Sequence, residues 1–591
     1  MFSIKTKIVS SWRKVKRAWP VFVLFKNKIS DTISVDQKLV YSLSSRKIPS
    51  NRQIKHLFRF LNSKEILIIK ICLLVLVVNL VYLGTVFVQK HLQYLPIAGG
   101  EYIEGVLSYP QTINPLYAVS RDIDADLSRL IYSSLLKYGP DGQLNNDLAE
   151  SVIISDNGKD YVIRIKTDVF FHDGSRLSID DVLFTYNLLK NSDYRSPLRS
   201  AFNGITIEKV DDNTIKFSLT EAHAPFIELL TVGILPKNIW ENIGPSAATL
   251  SEYNLKPIGS GPFKFNSLTK NKNGELKDYV LVVNDRYYGQ KPYLKNIKFK
   301  FFVDYSEAVK ALNDNQITGI SYLPSNLRGD LLAKNSLQIN ELPQAKIVVL
   351  FFNQEKNKAL ADKTTRLALT LALDKDKLIN EVFSTDARRV DGPILAENFA
   401  YNNLPKYEYN LEKAKQDLAN KNLSLTITVI DSGSNLLVAE QIKKYWEEAG
   451  VKIELKSISG EQAAELVRTR NFEALLYGEF IGSDPDVYAF WHSSQIGASG
   501  LNLANYNNKE VDTLLVEARA STKQEERINK YNKFQEIINN EVPVIFLYSP
   551  NYLYIQSRTL KGFSPSLIVS PADRFNSINN WYLKTNKKIT W

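Results

Sequence analysis

Residues 423–455 read LSLTITVIDSGSNLLVAEQIKKYWEEAGVKIEL. Leu423, Leu425, Ile427 and Val429 alternate with polar neighbours, the period of a half-buried strand. Residues 436–449 then carry apolar side chains at helical spacing, and Gly450 supplies the stop that a helix C-terminus favours. Residues 451–455 alternate again as a second strand. Strand, helix and strand in that order form a βαβ unit, in which the two strands are parallel and the helix is the crossover.

The same rhythm extends outward. Residues 346–352 form a nearly continuous apolar strand. Asp362 caps a helix running to residue 373, with Leu367, Ala368, Leu371 and Ala372 facing inward. A helix at 462–469 and a strand at 474–480 follow. The long helix 525–540 buries Ile528, Tyr531, Phe534 and Ile538 and stops before Pro543. Upstream the pattern changes. Residues 152–154 and 161–165 flank Asp156-Asn157-Gly158, a hairpin signal, and a second hairpin over 205–219 turns at Asp211-Asp212-Asn213. Between them 178–189 reads as a helix capped by Ser178, with Asp180 and Asp181 at its positive end. Residues 126–136 place Leu127, Leu130, Ile131, Ser134 and Leu135 on one helical face. The chain thus combines an α/β part, 346–548, with a hairpin-rich part before it.

Nearer the N-terminus, residues 66–88 read ILIIKICLLVLVVNLVYLGTVFV, with one charge, Lys70, and one amide, Asn79. A bilayer core of about 30 Å needs about 20 apolar helical residues, so this stretch is expected to span a membrane. Lys70 lies near its start, where the stem stays in lipid while the ammonium reaches the headgroups. Residues 1–65 hold 15 Lys and Arg against three acids, a net of +12, while the whole chain is +11. Basic flanks stay inside, which places the N-terminus in the cytoplasm and the chain after residue 88 outside the cell or in the periplasm. The surplus charge belongs to the tail, so it is no argument for nucleic-acid binding. A cleaved signal has a short charged start and an apolar core of about 7–15 residues. Here 65 residues precede a longer core, and the expectation is an uncleaved single-pass anchor. In the basic tail, Trp12, Trp19 and VFVLF at 21–25 suit contact with anionic lipid. Residues 89–100, with Pro96 and Gly99-Gly100, read as a linker.

Cys72, inside the apolar stretch, is the only cysteine, which excludes disulfides, a thiol nucleophile and cysteine-ligated zinc from the outer part. His172, His223 and His492 are far apart, and no metal site or cofactor is expected. Phosphate-loop, dinucleotide, H-E-x-x-H and G-x-S-x-G motifs are absent from the sequence. Asp484-Pro485-Asp486 offers two carboxylates, but not the defined separation across a sugar that glycoside hydrolysis requires.

Several blocks together resemble a known family. The run from Tyr161 through VIRIK, then VFFHDGSRLS at 169–178 with Asp180-Asp181-Val182, resembles the signature of extracellular solute-binding proteins of the oligopeptide, dipeptide and nickel type, family 5. PIGSGPF at 257–263 is similar to that family's P-x-G-T-G-P-Y. NDRYY at 284–288 with KPYL at 291–294 is similar to its N-x-x-Y-W and P-Y-L segments. Asn353 with Asp362, Arg366, Ala368, Leu369, Ala372 and Asp374 resembles another block. So does Tyr506-Asn507-Asn508 with Val511-Asp512, Leu515, Ala518-Arg519 and Pro543. The blocks run from about Asn114 to about Tyr554 in the family's order.

The resemblance implies an α/β, two-lobed periplasmic-binding-protein-like type 2 fold with an extra hairpin-rich subdomain, preceded here by one transmembrane helix. Lobe one would combine 101–132, 256–345 and 549–591, with 133–255 as the extra subdomain and 346–548 as lobe two. It implies no enzyme but the substrate-binding component of an ABC importer, a monomer that captures oligopeptides by hinge closure and hands them to permease subunits. Ligand-contacting residues would be Tyr109 and Asn353, together with Phe480, Asp484, Asp486, Tyr488 and Trp491 from 480–491. In peptide-binding members an aspartate three residues before the acidic-Pro pair holds the ligand's amino terminus, and Ile481 stands at that position here. Asp484 or Asp486 would substitute, or cap the following helix. A non-peptide ligand (a nickel complex, a sugar or a cofactor) and a sensing or chaperone-like peptide binder without an import role are the alternative readings.

Overall fold

The computed structural model describes residues 61–589 except 333, 334, 432, 499, 565 and 566, so the basic tail with Trp12 and Trp19 lies outside the described residues. The chain divides into two units, Met1–Tyr94 with Lys587–Trp591, and Leu95–Asn586.

The described part of the first unit is dominated by the helix Ser63–His91, 29 residues long. It is longer than the apolar stretch because Asn62 and Glu65 close a capping box ahead of it. None of its residues is buried by protein, and it is long and apolar enough to cross a membrane. Within it Asn79 donates to the Val75 carbonyl at 2.9 Å and Thr85 to that of Tyr82 at 2.7 Å. Residues 89–100, expected as a linker, are regular in part. The helix continues through His91 and a strand, Leu92–Ile97, follows directly.

In the second unit the βαβ reading holds. Ser424–Ile430 and Lys452–Ile458 are parallel neighbours joined by the helix Asn435–Glu448. Gly450, at φ 92°, makes the left-handed turn after that helix. Ala474–Phe480 pairs parallel with Ser424–Ile430 and antiparallel with Lys346–Phe352. Lys346–Phe352 is buried on both faces. Val348, Leu350 and Phe352 join one core cluster, while Ile347, Val349 and Phe351 join another, which explains its unbroken apolar run.

Two helices here bury charged residues in place of expected apolar ones. In Lys363–Leu371, Arg366 is buried and Leu367 and Leu371 are only partly so. The Arg366 guanidinium donates to the carbonyls of Leu360, Ala361, Glu541 and Val542 at 2.7–2.9 Å, closing the end of the last helix. In Gln524–Glu541, Arg527 is buried ahead of Ile528 because it reaches Asp484.

The strand Val544–Ser557 carries the sheet into the rest of the molecule. Its first residues pair with Lys346–Phe352 and its last with Leu337–Pro343. The chain therefore crosses between the two halves at 343–346 and 548–551, where Ser549 donates to the Gln344 carbonyl at 3.1 Å. Beyond the crossing the sheet continues through Gly319–Ile320, Glu101–Leu107, Asn296–Phe302, Leu276–Val283 and Phe263–Lys270. A separate four-stranded antiparallel sheet holds the hairpins Ala149–Ile154 with Asp160–Ile165 and Ile205–Asp211 with Thr214–Leu219. Ile179–Lys190, capped by Ser178 and Asp181, covers it.

The helix expected at 126–136 runs instead over Asp122–Ile131. Gly259 and Gly261 explain the early stop. The Gly261 N–H donates to the Ile131 carbonyl at 2.7 Å, and a Cβ on Gly259 would overlap that oxygen. The glycines of PIGSGPF thus seat the loop on the open helix end. Ser134 and Leu135 lie beyond the helix, just before the strand Leu136–Tyr138.

Candidate functional site

Short segments from two sides meet across a cleft of about 540 Å³ in the second unit. The hairpin side supplies Tyr138 to Leu144, Ile227 and Glu228. The βαβ side supplies Glu397 to Phe399, Ser483, Asp484 and Arg527. This volume falls in the range of about 300–1,000 Å³ usual for ligand sites, which favour such boundaries between domains.

Ser483 is the point of contact. It follows Gly482, whose φ of 70° turns the chain away from the strand Ala474–Phe480. Its hydroxyl lies 2.8 Å from the Tyr138 hydroxyl and donates to Glu228, so both bonds cross the cleft. Asn398 donates to the Ser483 carbonyl at 2.8 Å and holds the turn. Burial pushes the Glu228 carboxyl above its ordinary value, with Asp484 adding to the rise, while the Ser483 hydrogen bond opposes it.

The two aspartates of the SDPD turn are paired with arginines. Asp484 takes both Arg527 terminal nitrogens, at 2.8 and 2.5 Å, and its Oδ1 also accepts the Asp486 N–H. Asp486 takes Arg519 Nε and Nη2 at 3.0 and 2.7 Å through one oxygen, and its other oxygen accepts the Tyr488 N–H. Such forked pairs are strong and geometrically specific. They fix the turn against the helices Lys509–Ala520 and Gln524–Glu541. Asp484 still lines the cleft, whereas Asp486 does not.

The other expected contact residues are scattered. Tyr488 lies under the Arg519 guanidinium, 3.9 Å from ring centre to carbon, and stacks on His492. Phe480 is 59% exposed, with the Lys346 ammonium over its ring, and Tyr109 is also exposed. Trp491 is 2% exposed and packs on Tyr506, Phe534 and Phe546, so it is a core residue and not a cleft aromatic. Asn353 is buried as well. It follows Phe352, which pairs with Ala474, whereas Phe480 pairs with Lys346 at the other end of the strand. Its amide donates to the Arg470 carbonyl and accepts the Glu355 and Lys356 N–H groups.

Glu228, Tyr138 and Arg527 line the cleft outside every expected stretch, whereas Ser483 falls within 480–491. Only Glu228 left a signal, as the one acid within the otherwise apolar APFIELL at 224–230. The rest depends on contacts between residues 43 to 345 positions apart. Among the described residues no group of three His, Cys, Asp or Glu is placed to hold a metal.

Two halves joined by paired strand crossings thus enclose a cleft of ligand size. The family model for bacterial extracellular solute-binding proteins, family 5, matches residues 143–499, and the chain belongs to that family. It is 29% identical over 519 residues to the oligopeptide-binding protein AppA of Bacillus subtilis, covering 83% of this chain and 92% of that protein. The structure of AppA in complex with a nonapeptide superposes with a TM-score of 0.65 at 28% identity, covering 83% of this chain and all of that one. NikZ from Campylobacter jejuni, solved with Ni(L-His), gives a TM-score of 0.67 at 25% identity, covering 82% of this chain and 99% of that one. The chain is a substrate-binding component of the ABC-transporter kind and not an enzyme.

Proposed function

We propose that this protein is a membrane-anchored extracellular receptor. It captures oligopeptides between its halves by hinge closure and delivers them to the permease of an ABC importer. The observation that carries the reading is the cleft of about 540 Å³ bridged at Ser483. Both chain crossings, 343–346 and 548–551, lie side by side, the arrangement that lets two rigid bodies rotate with few backbone changes. Extended peptides suit such a cleft because main-chain hydrogen bonds give affinity independent of sequence. The likeness to a binding protein solved with a nonapeptide supports the peptide reading. The helix Ser63–His91 is the anchor in this proposal, and tethering keeps the receptor at high local concentration beside its permease.

Native mass spectrometry of the full-length protein, with gentle denaturation to release what co-purifies, tests the reading. A ladder of peptide masses is expected. A single non-peptide mass would keep the receptor and replace the ligand. An empty protein whose melting temperature ignores peptide mixtures would contradict capture altogether.

A further inference from the structure

The charges lining the cleft do not balance. Asp484 is neutralised by Arg527, and Glu397 is paired with Arg388. Asp141 is exposed and its Oδ1 accepts the N–H of Gln143 in a turn, so water solvates it. Glu228 is different. It is partly buried, it faces the cleft, and among the described residues no lysine, arginine or histidine nitrogen lies within 4.0 Å of it. Its nearest partners are neutral hydroxyls, Ser483 bonded to it and Tyr138 bonded to Ser483.

A carboxylate withdrawn from water with no cation bonded to it is unfavourable; Arg527 acts on Glu228 only through space and is bonded to Asp484, so a cation delivered into the cleft would relieve it. A primary ammonium suits the place, since its three donors match one carboxylate and the hydroxyl acceptors beside it. Resting on the receptor reading above, we propose that Glu228 is the specificity-determining residue of the cleft and that it anchors a free ammonium group, the amino terminus of a bound peptide. The anchor then comes from the hairpin side, not from the SDPD turn, whose carboxylates are occupied by Arg527 and Arg519. Because Glu228 reaches Ser483 across the cleft, the ammonium is read only when the two sides are together.

The test uses full-length protein in detergent and two peptide pools, random hexapeptides with free amino termini and the same pool N-acetylated. Bound peptide is measured by mass spectrometry after gel filtration. The wild type is expected to retain the free-amine pool about tenfold or more over the acetylated one, the worth of one charge-assisted hydrogen bond. Glu228→Gln should bind both pools about equally with an unchanged melting temperature, and Glu228→Asp should restore part of the preference. A wild type that binds both pools equally would overturn the inference without any variant, as would Glu228→Gln that keeps the preference. A wild type that binds neither pool would overturn the peptide reading and the inference with it, an outcome distinguished by the absence of any bound peptide.

Discussion

Arg574 shows how much a single side chain carries here. It is fully buried, and its guanidinium donates to Asp126 at 2.7 and 2.5 Å, to Glu104 at 2.9 and 2.7 Å, and to the Pro571 carbonyl. Tyr554 adds a hydrogen bond to Glu104. Burial raises both carboxyls above their ordinary values, and Arg574 pulls them back down. Arg574→Met would leave two buried carboxylates without a cation. The expected loss is about 3–5 kcal/mol in chemical denaturation, the cost of breaking a buried pair from one side. His172 gives a pH effect of opposite origin. It accepts the Gly259 N–H on Nδ1 and donates from Nε2 to the Gly261 carbonyl, and burial pushes its pKa down to about 4. The folded state therefore holds the imidazole neutral, while the unfolded chain takes up a proton near pH 6.5. Its contribution to stability is fully present above about pH 6.5 and is lost as pH falls towards 4. His172→Gln preserves one acceptor and one donor without titrating. It should flatten the melting temperature across that window, and an unchanged slope would show that His172 is not the source.

Elements with a strong period were legible in the sequence. Ala474–Phe480 and Lys346–Phe352 lie where their apolar patterns placed them, and both hairpins turn where their Asp, Asn and Gly residues predict. The helix Asp122–Ile131 was not legible, because its end is decided by glycines about 130 residues away. Gly259→Ala would drive a methyl into the Ile131 carbonyl and is expected to cost about 3 kcal/mol or more, as overpacking against backbone does. Comparative thermal denaturation checks this, and a silent substitution would mean that the loop can lift off the helix end. The helix Ser63–His91 makes a cellular prediction. Deleting residues 66–88 should move the protein from the carbonate-resistant membrane fraction to the soluble one, whereas retention in the membrane would refute the anchor.

At the scale of the molecule, the candidate site was harder to read than the fold. The cleft depends on pairs such as Ser483 with Glu228, 255 residues apart, and Asp484 with Arg527, 43 apart. No local pattern announces such pairs. Asp484 looked like a ligand carboxylate because its arginine lies on a distant helix. Trp491 and Asn353 looked like cleft residues because aromatic and amide side chains serve cores and sites equally well. The central claim is that the solute is held where Ser483 meets Glu228 and Tyr138. Calorimetric titration of a free-amine hexapeptide pool into full-length wild type and Ser483→Trp tests it most directly, since an indole at that point fills the cleft and props its sides apart. Saturable heat is expected for the wild type and none for the variant, at equal melting temperature. A variant that binds the pool as tightly as the wild type would place the solute elsewhere.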